Sequence, residues 1–333
     1  MPVSGAQPRG SQLSTAEQDL LRIACCIKCR SDLEFDEGGE SLLRCTGCPA
    51  SYPVVHGVPV LLDPDADEVS SLVRDFYASG WKRKDGGALA AREIHEDLSD
   101  YGQQYIKTNE DRFISFLEDE RVEFFLDVGC GAQPRVDFGI HGDRHVCLDL
   151  SLEGLIEARQ ILGDRAICIC GSILDIPLKD GVADQVIASH TLYHIDRDLQ
   201  PVAISEIARV RAPHGKALIF YVNPDSPERR FYSSIVAAGR WVKRMIRGSS
   251  LPVREPALYY SPHSISFMMD CLAEKFPGAK VSVQPLRVLI KKTSQPLMRH
   301  HLLGKWVLRL LFAVEARMRS RPRTASYVSY LIE

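Results

Sequence analysis

Five short apolar runs separated by helix-length segments constrain this chain more than anything else in it. They are Phe124 to Val128, His145 to Asp149, Ala166 to Cys170, Gln185 to Ser189 and Lys216 to Val222. Strands spaced this way need crossover connections, which predicts parallel pairing and a doubly wound α/β sheet. In such a sheet ligands sit beyond the carboxyl ends of the strands. The first run ends in Asp127-Val128-Gly129-Cys130-Gly131, an acid followed by two glycines one residue apart, and a turn of that kind lets backbone approach a ligand closely. Asp149 ends the second run, where a carboxylate can accept hydrogen bonds from both hydroxyls of a ribose. The third glycine that usually admits a pyrophosphate is missing, and Gln133-Pro134-Arg135 stands there instead. The turn therefore fits a ligand without phosphates, whose amino-acid moiety passes the glycines.

A second pattern lies nearer the amino terminus. Cys26-Ile27-Lys28-Cys29 and Cys45-Thr46-Gly47-Cys48 form a C-x2-C, x15, C-x2-C array, the spacing at which two turns close a tetrahedral zinc site. Cys25 could replace Cys26 as first ligand, and His56 is a further candidate whose simpler role is in a turn. Ten cysteines in 333 residues, without the apolar core of a signal peptide between Met1 and Gln18, point to metal binding and buried thiols rather than disulfides. A cytoplasmic location is expected, with attachment to a membrane periphery as a further reading.

Residues Ile23 to Asp63, closing with Val58-Pro59-Val60-Leu61-Leu62, resemble the small zinc-ribbon activator subunit of tRNA, rRNA and protein methyltransferases. Leu126 to Gly131 resembles the first motif of class I S-adenosylmethionine-dependent methyltransferases. Val146 to Ser151 resembles the ribose motif of that family, and Gly171 to Leu178 with Asp184 to Ile187 resembles its adenine loop and fourth strand. Thr191 to Ile195 and Glu206 to Gly215 resemble the succeeding segments of the small-molecule branch, which includes the quinone methyltransferases. The resemblance covers Phe124 to Val222. It implies a doubly wound, seven-stranded Rossmann-like methyltransferase sheet with a small amino-terminal zinc ribbon, and S-adenosylmethionine and zinc as cofactors. It implies a donor site formed by Asp127, Gly129, Cys130, Gly131, Asp149, Leu150, Ser172, Ile173 and Ser189, with Cys26, Cys29, Cys45 and Cys48 on the metal. Two departures stand out: Ser172 occupies a place where the family commonly has an acid, and a serine oxygen accepts more weakly than a carboxylate. His214 replaces a common glycine.

Methyl transfer depends chiefly on alignment, and needs a base only if the acceptor must lose a proton. His190 and His194, just past the fourth strand, are the candidate catalytic residues; a cofactor contact for His190 and a structural role for His194 are the alternatives. Asn223 could orient an acceptor, though a turn with Pro224 and Asp225 is the simpler reading. Tyr193, Tyr259, Tyr260 and His263 are weaker pocket candidates, and Tyr101 and Tyr105 share one helical face.

Charge is unevenly distributed. Asn223 to Glu333 holds 19 of the 41 Lys+Arg but only 7 of the 43 Asp+Glu. Phe231, Ile235, Ala238, Val242, Met245 and Ile246 line one side of a helical pattern whose other side carries Arg240, Lys243, Arg244 and Arg247, and Leu302 to Val314 forms a second apolar run too short to span a bilayer. A lid over the substrate, an interfacial segment on an anionic membrane and an RNA-binding face are the three readings.

The expected organisation is a polar tail at 1–22, a zinc ribbon at 23–63, a linker and capping helices at 64–123, and a methyltransferase domain at 124–333. Basic helical insertions lie near 226–262 and 296–323, and Val281 to Leu289 and Ala325 to Ile332 form a terminal antiparallel hairpin. The expected activity is methyl transfer from S-adenosylmethionine to a small molecule, with anionic, lipid-linked and sugar-linked acceptors as candidates. An RNA methyltransferase and a non-catalytic, cofactor-binding partner subunit are the alternatives.

Overall fold

A computed structural model describes residues 13–36, 42–62, 99–118, 122–247, 259–298 and 301–333. Part of the segment expected as a polar tail is a helix, α1 (Thr15–Ile23). A capping box starts it: Ser14 Oγ accepts from the Glu17 amide at 3.3 Å and the Glu17 carboxylate accepts from the Ser14 amide at 3.0 Å. Its polar composition hides two apolar positions three apart, Leu20 and Ile23, which are buried against the sheet.

The ribbon continues as β1 (Leu33–Phe35), β2 (Leu42–Cys45), β3 (Ser51–Val55) and β4 (Val58–Leu61), an antiparallel meander. His56 sits in the tight β3–β4 turn at φ 51° and Gly57 at φ 77°, the left-handed conformations a two-residue hairpin turn requires. Of the linker and capping helices expected over 64–123, the part over 64–98 lies outside the described residues, and the part that follows contains α2 (Asp100–Asp111). Within the stretch expected as capping helices, a short 3-10 turn, Ile114–Phe116, follows α2, with Phe113 and Leu117 buried on either side.

From there strand and helix alternate: β5 (Val122–Val128), β6 (Gly142–Asp149), α3 (Leu152–Leu162), β7 (Ala166–Gly171), β8 (Ala183–Ser189), α4 (Gln200–Val210) and β9 (Arg211–Val222). The carboxyl-terminal part adds α5 (Pro227–Arg247), α6 (Ile265–Lys275), β10 (Val281–Arg287), α7 (Lys291–Met298), α8 (His301–Met318) and β11 (Tyr327–Ile332). The strand order is β1-β2-β3-β4-β7-β6-β5-β8-β9-β11-β10. Seven of these, β7 through β10 in that order, form the expected sheet, and β11 enters antiparallel between β9 and β10.

The ribbon continues the same sheet. Val60 and Leu61 of β4 pair in parallel with Cys170 and Gly171 of β7, so the ribbon covers an edge that would otherwise expose unpaired backbone groups. Leu33, Leu43, Tyr52 and Leu61 share one apolar cluster with Leu126, Leu148, Ile169 and Leu178. Further contacts reach the loop after β7: the Cys25 amide donates to Pro177 O at 3.1 Å, the Lys179 amide to Ile23 O at 2.8 Å, and Arg30 Nη1 to Ile176 O at 2.9 Å. On either side of residue 63, where a boundary was expected, the described residues form one core.

Candidate active site and metal centre

The Sγ atoms of Cys26, Cys29, Cys45 and Cys48 lie within 4.8 Å of one another. Cys29 and Cys45 are 3.3 Å apart and Cys26 and Cys48 3.7 Å, close to the roughly 3.8 Å edge of a tetrahedron built on Zn–S bonds of about 2.3 Å. Four thiolates are a soft donor set that fits zinc. Tyr52 Oη lies 3.0 Å from Cys26 Sγ, where it can donate to the thiolate and fix its orientation. Cys25 is not part of the group: its sulfur lies 3.8 Å from Arg30 Nη1. Nor is His56, whose carbonyl accepts from Arg159 at 3.1 Å.

The parallel strands bring the predicted donor residues to one rim. Gly129 (φ 72°) and Gly131 (φ 54°) make the turn after β5. A Cβ on Gly129 would fall 2.4 Å from the Thr191 side chain, so only glycine fits. Asp149, at the end of β6, accepts from the Gly131 amide at 2.8 Å through one oxygen and from the Ser151 amide at 2.8 Å through the other. Burial pushes its carboxyl up to about 6, against the pull of those two amides. Asp127 is buried and braces the loop, accepting from the Arg135 amide at 2.6 Å, with His145 Nε2 at 3.4 Å. Cys130 is buried and points its sulfur at Gly131 O (3.3 Å); burial holds its thiol up to about 12, so it stays protonated.

Ser172 and Ile173 come directly after β7. The Ser172 hydroxyl accepts from the Leu174 amide at 3.1 Å and Ile173 is almost wholly buried. Asp175 closes the loop through an ion pair with Arg30 of the ribbon. Leu150 is half-buried beside Asp149. Ser189, at the end of β8, accepts from Arg135 Nη2.

The two candidate histidines differ. His194 Nδ1 donates to Tyr259 O at 2.8 Å, which fixes its ring. His190 occupies a left-handed conformation (φ 60°) that a side-chain-bearing residue rarely adopts. Its ring is walled by Phe220, Tyr193 and Tyr327, with centroids at 5.9, 6.2 and 5.4 Å. Neither ring nitrogen makes a hydrogen bond. Burial lowers its pKa to about 4, so it is neutral near pH 7.

Two residues that sequence reasoning missed complete the rim. Glu110, buried on α2, sets Oε1 3.5 Å from His190 Nε2 and Oε2 2.7 Å from Arg135 Nη1. Burial works against its charge, but Arg135, His190 and Arg287 together outweigh that and hold the carboxyl well below the usual range. One acid on a polar helix face carries no sequence signal; the third glycine missing at Pro134, next to Arg135, was the one available hint.

The other candidates make the following contacts within the chain. Asn223 accepts from the Asp225 amide at 3.1 Å and donates to Ala325 O at 2.9 Å, tying β9 to the approach to β11. His263 accepts from Arg197 Nε at 3.2 Å and stacks on Phe267 at 3.7 Å. Tyr105 is buried and bonds Glu315, and Tyr101 abuts Gly304. Tyr193 is buried beside His194, while Tyr259 Oη reaches Asp196 at 3.4 Å. Tyr260 stands half-exposed beside Tyr193 at 5.6 Å.

The methyltransferase-domain family matches residues 126–219. Over 51 residues the chain is 41% identical to a UPF0434 protein of Vibrio atlanticus, spanning 15% of this chain and 85% of that protein. It is 33% identical over 57 residues to one of Shewanella putrefaciens, spanning 17% and 95%. Among solved structures it is similar to the N-methyltransferase NodS from Bradyrhizobium japonicum in complex with S-adenosyl-L-homocysteine (11% identity, 80% of this chain, 97% of that one, TM-score 0.45). It is also similar to a complex of the Haloferax volcanii Trm112 methyltransferase activator with a putative methyltransferase (16% identity, 69% and 90%, TM-score 0.44).

Proposed function

We propose that this chain, which belongs to the UPF0434 family through its amino-terminal ribbon and is an S-adenosylmethionine-dependent methyltransferase through residues 126–219, methylates a small molecule held beside His190. The observation that carries the reading is the meeting, at one rim, of the glycine turn, Asp149 and an enclosed histidine without a hydrogen-bond partner.

In this reading Gly129 to Gly131 pass the amino-acid moiety of the donor, Asp149 accepts from its ribose hydroxyls, and Ser172, Ile173 and Leu150 line its base. Asp127 and Cys130 shape the turn. S-adenosylmethionine, when bound, supplies an electrophilic methyl group. His190 is the better base of the two histidines. Glu110, held ionised by Arg135, faces Nε2 and favours the tautomer with its proton there, which leaves Nδ1 to accept a proton from the acceptor. The imidazolium that forms is then stabilised by the Glu110 charge. His194, fixed by Tyr259 O, is a positioning residue.

Calorimetry of the zinc-loaded protein with S-adenosylmethionine tests the donor site, and absence of binding sinks the reading. Labelled-methyl transfer in cell extract, separated into small-molecule and RNA fractions, tests the acceptor. Label confined to RNA replaces the small molecule with the RNA alternative, and no label in either supports the non-catalytic partner.

A second reading, contact with an anionic membrane surface, is favoured by the exposed faces of two helices. On α5, Phe231, Ile235, Trp241 and Met245 are exposed, and on α8 Trp306, Leu310 and Val314, in the arginine- and lysine-rich third of the chain. No helix of the described residues is long and apolar enough to cross a membrane. Sedimentation with vesicles tests this, and binding that ignores anionic lipid content counts against it.

A further inference from the structure

The rim extends past His190 onto the last two strands. Tyr327 of β11 pairs with Val222 at the carboxyl end of β9, and Arg287 of β10 pairs with Tyr327. Antiparallel pairing thus brings the start of β11 and the end of β10 to the edge where β8 ends in Ser189. The Tyr327 ring is a hub there. Arg287 Cζ lies 4.1 Å from its centroid, Arg229 Cζ 5.0 Å, and the His190 ring stands nearly perpendicular to it at 5.4 Å.

These guanidinium groups lack the partners such groups normally have. Among the described residues the Arg287 guanidinium makes no hydrogen bond and no ion pair, and its Nε is buried without an acceptor. Glu110 faces it but is committed to Arg135 at 2.7 Å. Arg229 donates to Tyr260 Oη at 3.1 Å and Ser326 O at 3.4 Å, both neutral oxygens. Glu228, its neighbour, serves the Ile290 amide and the Ser326 and Thr293 hydroxyls instead. A guanidinium over an aromatic face keeps its N–H fork free in its own plane, and that fork matches the two oxygens of a carboxylate or phosphate. Packing alone would be served as well by an apolar residue, without leaving a buried donor unmet.

We propose that Arg287 and Arg229 grip an oxyanion group of the methyl acceptor against Tyr327, so that the substrate is a small acid whose nucleophile is presented to His190. This deepens, and rests on, the methyltransferase reading of the same rim.

The test is calorimetric titration of the full-length, zinc-loaded protein, saturated with S-adenosylhomocysteine, with benzoate and separately with phenyl phosphate. Saturable binding of one or both is expected, weakened about tenfold or more in Arg287→Gln and measurably in Arg229→Gln; the tighter probe tells a carboxylic acid from a phosphate ester. No binding of either probe, or undiminished binding in Arg287→Gln, overturns the proposal. Should Arg287→Gln fail to fold, Arg287→Lys, which keeps the charge but not the fork, and Arg229→Gln decide it: wild-type binding in both overturns it. S-adenosylhomocysteine titrated alone keeps the two readings apart. Its binding should be the same in wild type and Arg287→Gln, and its failure in wild type is the failure of the donor site.

Discussion

Asp149 and Gly131 are joined by a 2.8 Å hydrogen bond from the glycine amide to the carboxylate, so one side chain ties the end of β6 to the turn after β5. In the proposed donor site, replacing Asp149 with alanine removes the acceptor for the ribose hydroxyls and loosens the turn. S-adenosylhomocysteine affinity should fall by more than tenfold in calorimetry, since charge-assisted hydrogen bonds contribute about 1.5–3 kcal/mol each.

The same carboxyl predicts a pH dependence. Its pKa near 6 exceeds the ordinary 3.8, so its contribution to the stability of the ligand-free protein is complete below about 3.8 and lost as pH rises through 6. In the proposed donor site ligand affinity runs the other way, because the ionised form would accept both hydroxyl bonds. S-adenosylhomocysteine should bind more weakly at pH 5 than at pH 7.5, and Asp149→Asn should flatten the difference.

His190 titrates in the opposite sense. Its folded pKa of about 4 lies below the ordinary 6.5, so the stability it supports is present above 6.5 and lost as pH falls toward 4. His190→Gln should lose less thermal stability between pH 7 and pH 4.5 than wild type. If His190 is the base, turnover of this variant should drop by about 10²–10⁴-fold with KM little changed.

Gly129→Ala places a Cβ 2.4 Å from Thr191 at a φ of 72°. Strain and clash together should cost on the order of 2 kcal/mol or more, read as a lower denaturation midpoint. Gly163→Ala, at φ 59° with nothing within 4 Å, should cost about half that and leave ligand affinity unchanged.

Zinc removal should be felt at the donor site. Arg30 of the ribbon donates to Ile176 O at 2.9 Å and pairs with Asp175, while β4 pairs with β7 just before Ser172. Cys45→Ser or chelation should therefore lower both thermal stability and S-adenosylhomocysteine affinity. Undiminished affinity in metal-free protein would show that the ribbon does not brace the loop.

Much of this was legible in the chain itself. Parallel strands announce themselves as continuous apolar runs because both faces are buried, and the glycines at 129 and 131 are required by backbone conformation and close approach. The cysteine array carries its own spacing rule. Local chemistry of that kind specified the sheet, the glycine turn and the cysteine cluster, and left Cys25 against Cys26 open because adjacent residues satisfy the same spacing.

Tertiary structure decided the features that depend on residues far apart. Cys26 joined the cluster because the Cys25 amide is held by Pro177 O. The ribbon became an extension of the sheet rather than a separate bead because β4 found the open edge of β7. Glu110 reached His190 across 80 residues, and antiparallel entry of β11 carried Tyr327 and Arg287 to the same rim. Each of those contacts depends on register and packing between distant elements, and a single charged residue has no periodicity by which to reveal its partner.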